Sequence, residues 1–202
     1  MAGIYLHIPF CKRKCHYCNF FSVASLKYKS EVFNALLAEI KSRKDYLRGE
    51  TVNTIYFGGG TPSMLEKDEI IQILDEIFKF HEVADDAEIT LEANPDDLKK
   101  EKIKALSNSP VNRLSIGIQS FFDDDLKYLN RIHTAGEAEK CIPIAQEAGF
   151  DNLTIDLIYG IPGLTNQKWY ENLKKFFSLD LPHLSAYSLT VEQKTALHHL
   201  IK

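Results

Sequence analysis

The sequence predicts an α/β fold on a parallel sheet. Three observations carry that reading. Six short β-branched or aromatic runs alternate with segments of helical period. The runs start a few tens of residues apart, the size of a βα unit. There is no series of hairpin turns, so the connections read as crossovers between parallel strands. An open doubly wound sheet and a partial barrel both satisfy this pattern.

The strands are expected at IYLHI (4–8), NTIYF (53–57), EITLE (88–92), RLSIGI (113–118), LTIDLIY (153–159) and HLSAYSL (183–189). Several are nearly continuous apolar runs, which predicts burial on both faces. Between strands 1 and 2, Val32, Phe33, Leu36, Leu37 and Ile40 form one helical face. Ile70, Ile71, Leu74, Ile77 and Phe78 form the next. Leu98, Ile103 and Leu106 continue the series, with Asp96 or Asp97 as the expected N-cap. Leu126 and Leu129 mark a short helix. Cys141, Ile144, Ala145 and Ala148 lie on a longer one that stops at Gly149. Trp169, Leu173, Phe176 and Phe177 form the last stripe and are expected in the core. The final stretch, EQKTALHHLIK, reads as the start of another helix. Met1 reads as a natural start. The domain organisation expected is a barrel over 1–195, with 196–202 opening a C-terminal part that the chain lacks.

Length and composition set bounds on function. The chain has 202 residues, enough for one large domain or two small ones and ample for a real core. Its net charge of -4 provides no basic field for nucleic acid. No apolar run approaches the ~20 residues needed to cross a bilayer, and MAGIYLHIPFC does not resemble a signal peptide. The expected compartment is the cytoplasm, where thiols bind metal or react rather than pair.

Ligands of parallel α/β folds sit at the C-terminal ends of the strands. Here those ends carry three cysteines, a GGGTP run, Glu92-Ala93-Asn94-Pro95, Gln119-Ser120, Asp156, and Ser188 with Thr190. Cys11, Cys15 and Cys18 are spaced C-x3-C-x2-C. Three thiolates suit a 4Fe–4S cluster with one open iron. A zinc site would need a fourth ligand, with His7 or His16 available; unligated thiols are the third reading. A loop lacking its cluster is expected to be disordered or collapsed. Cys141 reads as inert core. Gly58-Gly59-Gly60 matches neither the dinucleotide nor the P-loop fingerprint. It suits close backbone approach to a ligand, or a tight βα turn. Glu92 and Asp156 are carboxylates at apolar strands, costly unless bonded to a ligand or paired with Arg113 or Arg131. Lys12-Arg13-Lys14 is either a counter-charge to the cluster or a solvated loop.

YLHIPFCKRKCHYCNFF, FGGGTPS, EITLEANPDDL, NRLSIGIQSF with RIH after it, and NLTIDLIYGIPGLT occur in that order. Together they resemble the radical S-adenosylmethionine (SAM) proteins of the oxygen-independent coproporphyrinogen III oxidase family. The resemblance implies a partial (β/α)6, TIM-like barrel of parallel strands. It implies a 4Fe–4S cluster on Cys11, Cys15 and Cys18, with SAM on the fourth iron. By motif position, Tyr5, Tyr17, Gly59, Gly60, Thr61 and Glu92 correspond to the SAM site. Gln119, Arg131 and Asp156 correspond to a second SAM site, as Thr190 does more weakly. The oxidases carry a further cysteine where this chain has Asn19-Phe20, and a longer segment before strand 1. Both departures resemble the heme-chaperone branch of the family. That branch implies heme as cargo, heme or porphyrin as ligand, a separate heme-acceptor protein and an electron donor. Membrane contact is expected only through the acceptor, and no nucleic-acid contact is expected.

Overall fold

The computed structural model describes residues 2–201. Met1 and Lys202 lie outside them, and with them the reading of Met1 as a natural start and the outer bounds of the expected domains. Six strands form one sheet in sequence order: β1 (Ala2–Ile8), β2 (Val52–Gly59), β3 (Val83–Ala93), β4 (Arg113–Gln119), β5 (Asn152–Tyr159) and β6 (His183–Ser188). Every neighbouring pair is parallel. Among the described residues β1 and β6 do not pair, so the result is a partial (β/α)6 barrel.

The crossovers are α1 (Lys29–Ser42), α2 (Lys67–Phe80), α3 (Lys100–Ser107), a short α4 (Asp123–Tyr128) followed by α5 (Ala135–Glu147), and α6 (Asn166–Ser178). A 3-10 turn at Pro62–Met64 precedes α2, and α7 (Ala196–Leu200) follows β6. The starts are chemically marked. Thr134 and Glu137 form a reciprocal capping box at α5. Thr165 and Thr195 cap α6 and α7. Gly149, at φ 95°, follows α5 in the left-handed conformation that ends helices.

The two faces of the strands differ in chemistry, although Thr90, Ser115 and Thr154 on the second face are buried as well. Leu6, Ile8, Ile55, Phe57, Ile89, Leu91, Leu114, Ile116, Leu153 and Ile155 are buried with Ile70, Ile73, Leu74 and Ile77 of α2, Ile103 and Leu106 of α3, and Ile142 of α5. The alternate positions are polar. Tyr5 pairs with Tyr56, Tyr56 with Thr90, Glu92 with Ser115, Ser115 with Thr154, and Asp156 with Ser185. This second face is the inside of the barrel. Burial on both faces holds at the centre of β3, β4 and β5, but the second face is polar rather than apolar, because Tyr and Thr suit a strand as well as Ile does and mask the two-residue period.

Three smaller expectations also change. Asp96 and Asp97 do not cap α3, whose N-cap is Lys99; they pair with Lys12 instead. Phe177 is 73% exposed, and the fully buried member of that helix is Asn172. Its side chain accepts from Phe121 N at 2.8 Å and donates to Ser120 Oγ at 3.3 Å, so burial leaves it satisfied. In α2 the buried stripe runs through Ile73 rather than Phe78. Cys141 is core as expected: it is buried, and burial pushes its thiol up to about 12.

His133 packs under β4. One ring nitrogen, Nε2, lies 3.0 Å from the Ile118 carbonyl and donates to it; Nδ1 is buried without a partner. Burial first, then the Arg131 guanidinium, lowers its pKa from 6.5 to about 4. Between those values the unfolded chain binds a proton that the folded chain refuses. The stability His133 contributes is therefore complete above pH 6.5 and is lost as pH falls toward 4, about 3 kcal/mol in all. Urea titrations should show a steeper loss of stability between pH 6.5 and 4 in the wild type than in His133→Gln. Equal slopes would refute this account.

Candidate functional site

The strand ends of the barrel meet the loop after β1 around a cavity of about 470 Å³. Cys11, Cys15, Cys18, Tyr17, Gly59, Gly60, Thr61, Glu92, Gln119, Arg131 and Asp156 all line it, as do Phe20, Asn94, Tyr187 and Thr190. Tyr5 is the one site residue of the sequence reading that does not. It is exposed on the inner face of β1, stacked near Tyr56 and within 3.2 Å of His7 Nδ1.

The cysteine loop is held from several sides. His16 N donates to the Leu129 carbonyl at 3.1 Å, and His16 Nδ1 lies 2.9 Å from the Tyr128 carbonyl. Asn130 Nδ2 donates to the Lys14 carbonyl at 2.9 Å. Leu197 N, in α7, donates to the His16 carbonyl at 2.8 Å. Lys12 pairs with Asp96 at 2.7 Å and also with Asp97. Lys12 thus serves the loop's architecture, while Arg13 and Lys14 line the cavity. These bonds join residues more than eighty positions apart, which is why the sequence does not announce them.

Among the described residues, no three His, Cys, Asp or Glu side chains close around a single ion. His7 Nε2 lies 2.9 Å from the Phe21 carbonyl, and His7 is not on the cavity. Neither candidate histidine is offered as a fourth zinc ligand. The thiols do fit a wider, polynuclear cluster, whose ligands need not meet at one point. All three line one cavity, and each has a hydrogen-bond donor: Thr61 Oγ1 for Cys11 and Arg131 Nη1 for Cys15, both at 3.5 Å, and the Phe20 backbone for Cys18.

The glycine run has a steric cause at each position. A Cβ on Gly58 would lie 2.8 Å from the Tyr5 ring, and one on Gly59 2.7 Å from His7. A Cβ on Gly60 would lie 2.7 Å from the Phe10 carbonyl oxygen. Gly60 N also donates to the Ile8 carbonyl at 2.8 Å. The run therefore closes β2 against β1 as well as lining the cavity. Gly117 acts similarly on β4, where a Cβ would come within 2.8 Å of Gln119 Nε2 and 3.2 Å of Arg131 Nη2. The β4–β5 register shifts between Ile116 and Gln119, and Gln119 adopts a left-handed φ of 69°. That strained backbone sits at the cavity, where such conformations concentrate.

Neither acid is paired with arginine. Arg113 reaches Glu88 and Thr90. Arg131 reaches Asn94, Gly117 and Cys15. Glu92 instead accepts from Tyr56 Oη at 2.9 Å and Gly59 N at 3.1 Å. Burial raises its pKa despite those bonds. Asp156 is raised from 3.8 to about 6, first by burial and then by the Glu92 charge. The sequence reading missed Tyr56, which stands in the strand run NTIYF, and named Asn94 only as part of the strand-3 end, without a role.

A raised carboxyl favours the fold while protonated. That contribution is complete below pH 3.8 and lost as pH rises through about 6. Asp156→Asn should therefore stabilise the ligand-free protein at pH 7.5, by about 2–3 kcal/mol, with the gain gone near pH 4. Thermal melts at the two pH values decide it; an unchanged or lower melting temperature at pH 7.5 would count against it.

The radical SAM superfamily model matches residues 5–176. The chain is 38% identical over 205 residues to the heme chaperone HemW of Bacillus subtilis, aligning 100% of itself with 54% of that protein. It is 40% identical over 192 residues to the heme chaperone HemW of Lactococcus lactis, 95% of this chain and 50% of that one. It thus spans about half the length of these relatives. Among solved structures it is similar to the coproporphyrinogen III oxidase HemN of Escherichia coli, a radical SAM enzyme. The TM-score is 0.85 at 30% identity, over 93% of this chain and 44% of the oxidase. The match across most of the chain, on a six-stranded partial barrel with three thiols at its strand ends, shows that the protein belongs to the radical SAM superfamily.

Proposed function

We propose that the chain is the barrel part of a heme chaperone that carries a 4Fe–4S cluster and SAM and passes heme to an acceptor protein in the cytoplasm. The observation that carries this is the cavity wall: three donor-supported thiols with Phe20, not another cysteine, beside them. On this reading residues 1–195 are the barrel and 196–202 open a further part. Among the described residues no helix is long and apolar enough to cross a membrane.

Cys11, Cys15 and Cys18 would hold three irons. When bound, the cluster and SAM supply the electron and the sulfonium centre of radical SAM chemistry. The protein's own groups prepare the cavity for a cation. Glu92 and Asp156 face it without a basic partner, so an ammonium or sulfonium group relieves their desolvation. Asp156, near 6, is already largely ionised at neutral pH, and a cationic ligand would hold it so and lower its pKa. Gly59, Gly60 and Thr61 line the wall between the cysteine loop and Glu92, with Tyr17, Gln119 and Arg131 on the remaining sides. Tyr5 stays outside this set.

A second reading is the oxidase activity itself, favoured by the likeness to the solved oxidase and by Gln119, Arg131 and Asp156 on one cavity. Anaerobic reconstitution separates the two. The full-length protein containing this chain should take up iron and sulfide, lose that uptake in Cys11→Ser, Cys15→Ser and Cys18→Ser, bind heme, and leave coproporphyrinogen III unchanged. Conversion to protoporphyrinogen IX would transfer the assignment to the oxidase, and zinc without iron in anaerobically purified protein would defeat both.

A further inference from the structure

Asn94 stands just past β3, and the two ends of its amide are engaged in opposite senses. Oδ1 accepts from Arg131 Nη2 at 2.6 Å, and Nδ2 donates to Thr61 Oγ1 at 3.3 Å. Arginine has only donors, so the atom facing it must be the oxygen; the amide's orientation is fixed by chemistry. Each partner then reaches a different cysteine. Thr61 Oγ1 donates to Cys11 Sγ and Arg131 Nη1 to Cys15 Sγ, both at 3.5 Å. One amide therefore touches a side-chain donor of each of two thiols, with Tyr17 as a further donor to Cys15.

Its surroundings hold that amide still. Asn94 N donates to Ser63 Oγ at 3.3 Å, and Ser63 Oγ donates to Asp97 at 2.7 Å. Asp97 is also a partner of Lys12, beside Cys11. Arg131 Nη2 donates a second bond, to the Gly117 carbonyl at 2.7 Å, where the absent side chain of Gly117 leaves it room. A hydroxyl has a single proton. Because Thr61 accepts from Asn94, its proton is free to point at Cys11. A carboxylate at 94 would take that proton for itself and turn the hydroxyl away from sulfur, while keeping its contact with Arg131.

We infer that Asn94 is a positioning residue that sets the sulfur hydrogen bonds of Cys11 and Cys15, and through them the reduction potential of the iron–sulfur cluster those cysteines hold. The inference rests on the cluster-binding function proposed above. Donors to cluster sulfur favour the more negative, reduced state and raise the potential. Removing the Cys11 donor lowers it.

The test is an EPR-monitored redox titration of the anaerobically reconstituted chain. Asn94→Asp and Thr61→Val should shift the midpoint to more negative potential, while Thr61→Ser, which keeps the hydroxyl, should stay at the wild-type value. A merely structural role would lower iron content without moving the potential of the clusters that form. Full iron content with unmoved potentials in Asn94→Asp and Thr61→Val would overturn the inference. If Asn94→Asp does not load, hydrogen exchange of the cluster-free protein reads the same network. Protection across residues 11–18 should then fall, and unchanged protection would also overturn it. A wild-type chain that takes up no cluster would defeat the functional reading itself, whereas a loaded wild type with unmoved variants defeats only this inference.

Discussion

Each strand of the sheet must bury one face against the helices and leave the other to line the barrel. Leucine, isoleucine and phenylalanine occupy one set of alternate positions, from Leu6 to Ile155, and the helices seal that layer. The opposite positions are thereby committed to a single surface. Parallel pairing in near-uniform register then sets Tyr56, Glu92, Ser115 and Asp156 on that one face. The site is a by-product of where the core must be: a one-residue slip in any strand would exchange its polar set for its apolar one.

That commitment is energetically uneven. The apolar layer gains from burial, whereas the inner layer places carboxylates where water is scarce. Glu92 is partly compensated by the Tyr56 hydroxyl and the Gly59 amide. Asp156 has Ser185 and the distant arginine charges, and feels Glu92 as a like charge. The strained backbone of Gln119 adds to the same account. Stability is thus given up at the cavity and recovered in the layer behind it, the usual arrangement for a surface shaped to receive a ligand.

Much of this was readable in advance. The βα order, the six strands and the residues at their C-terminal ends follow from period and turn chemistry, and the cysteine spacing is visible by eye. The inner face was not readable, because Tyr56 and Thr90 lie in runs that look apolar and β-formers of either polarity satisfy a strand. Nor were the long-range bonds. Lys12 looked like part of a basic loop, and Asp96 and Asp97 like helix caps; their pairing joins segments that only the barrel brings together. Asn172 could be taken for a surface amide until the fold places it beneath Ser120 and Phe121. Local chemistry proposes partners within a turn or two of chain, and the barrel overrules it with partners from other strand ends.

Leu197 gives the last helix an unexpected mechanical role. Its side chain is buried, and its amide holds the carbonyl of His16, the residue between Cys15 and Tyr17. The polypeptide after β6 is thus in series with the cysteine loop, not merely draped over it. Drawing α7 outward would strain the bond that its Leu197 amide makes to the His16 carbonyl. The thiol-bearing loop is therefore tied in part to a helix more than 180 positions along the sequence, a link that no strand pairing of the barrel shares.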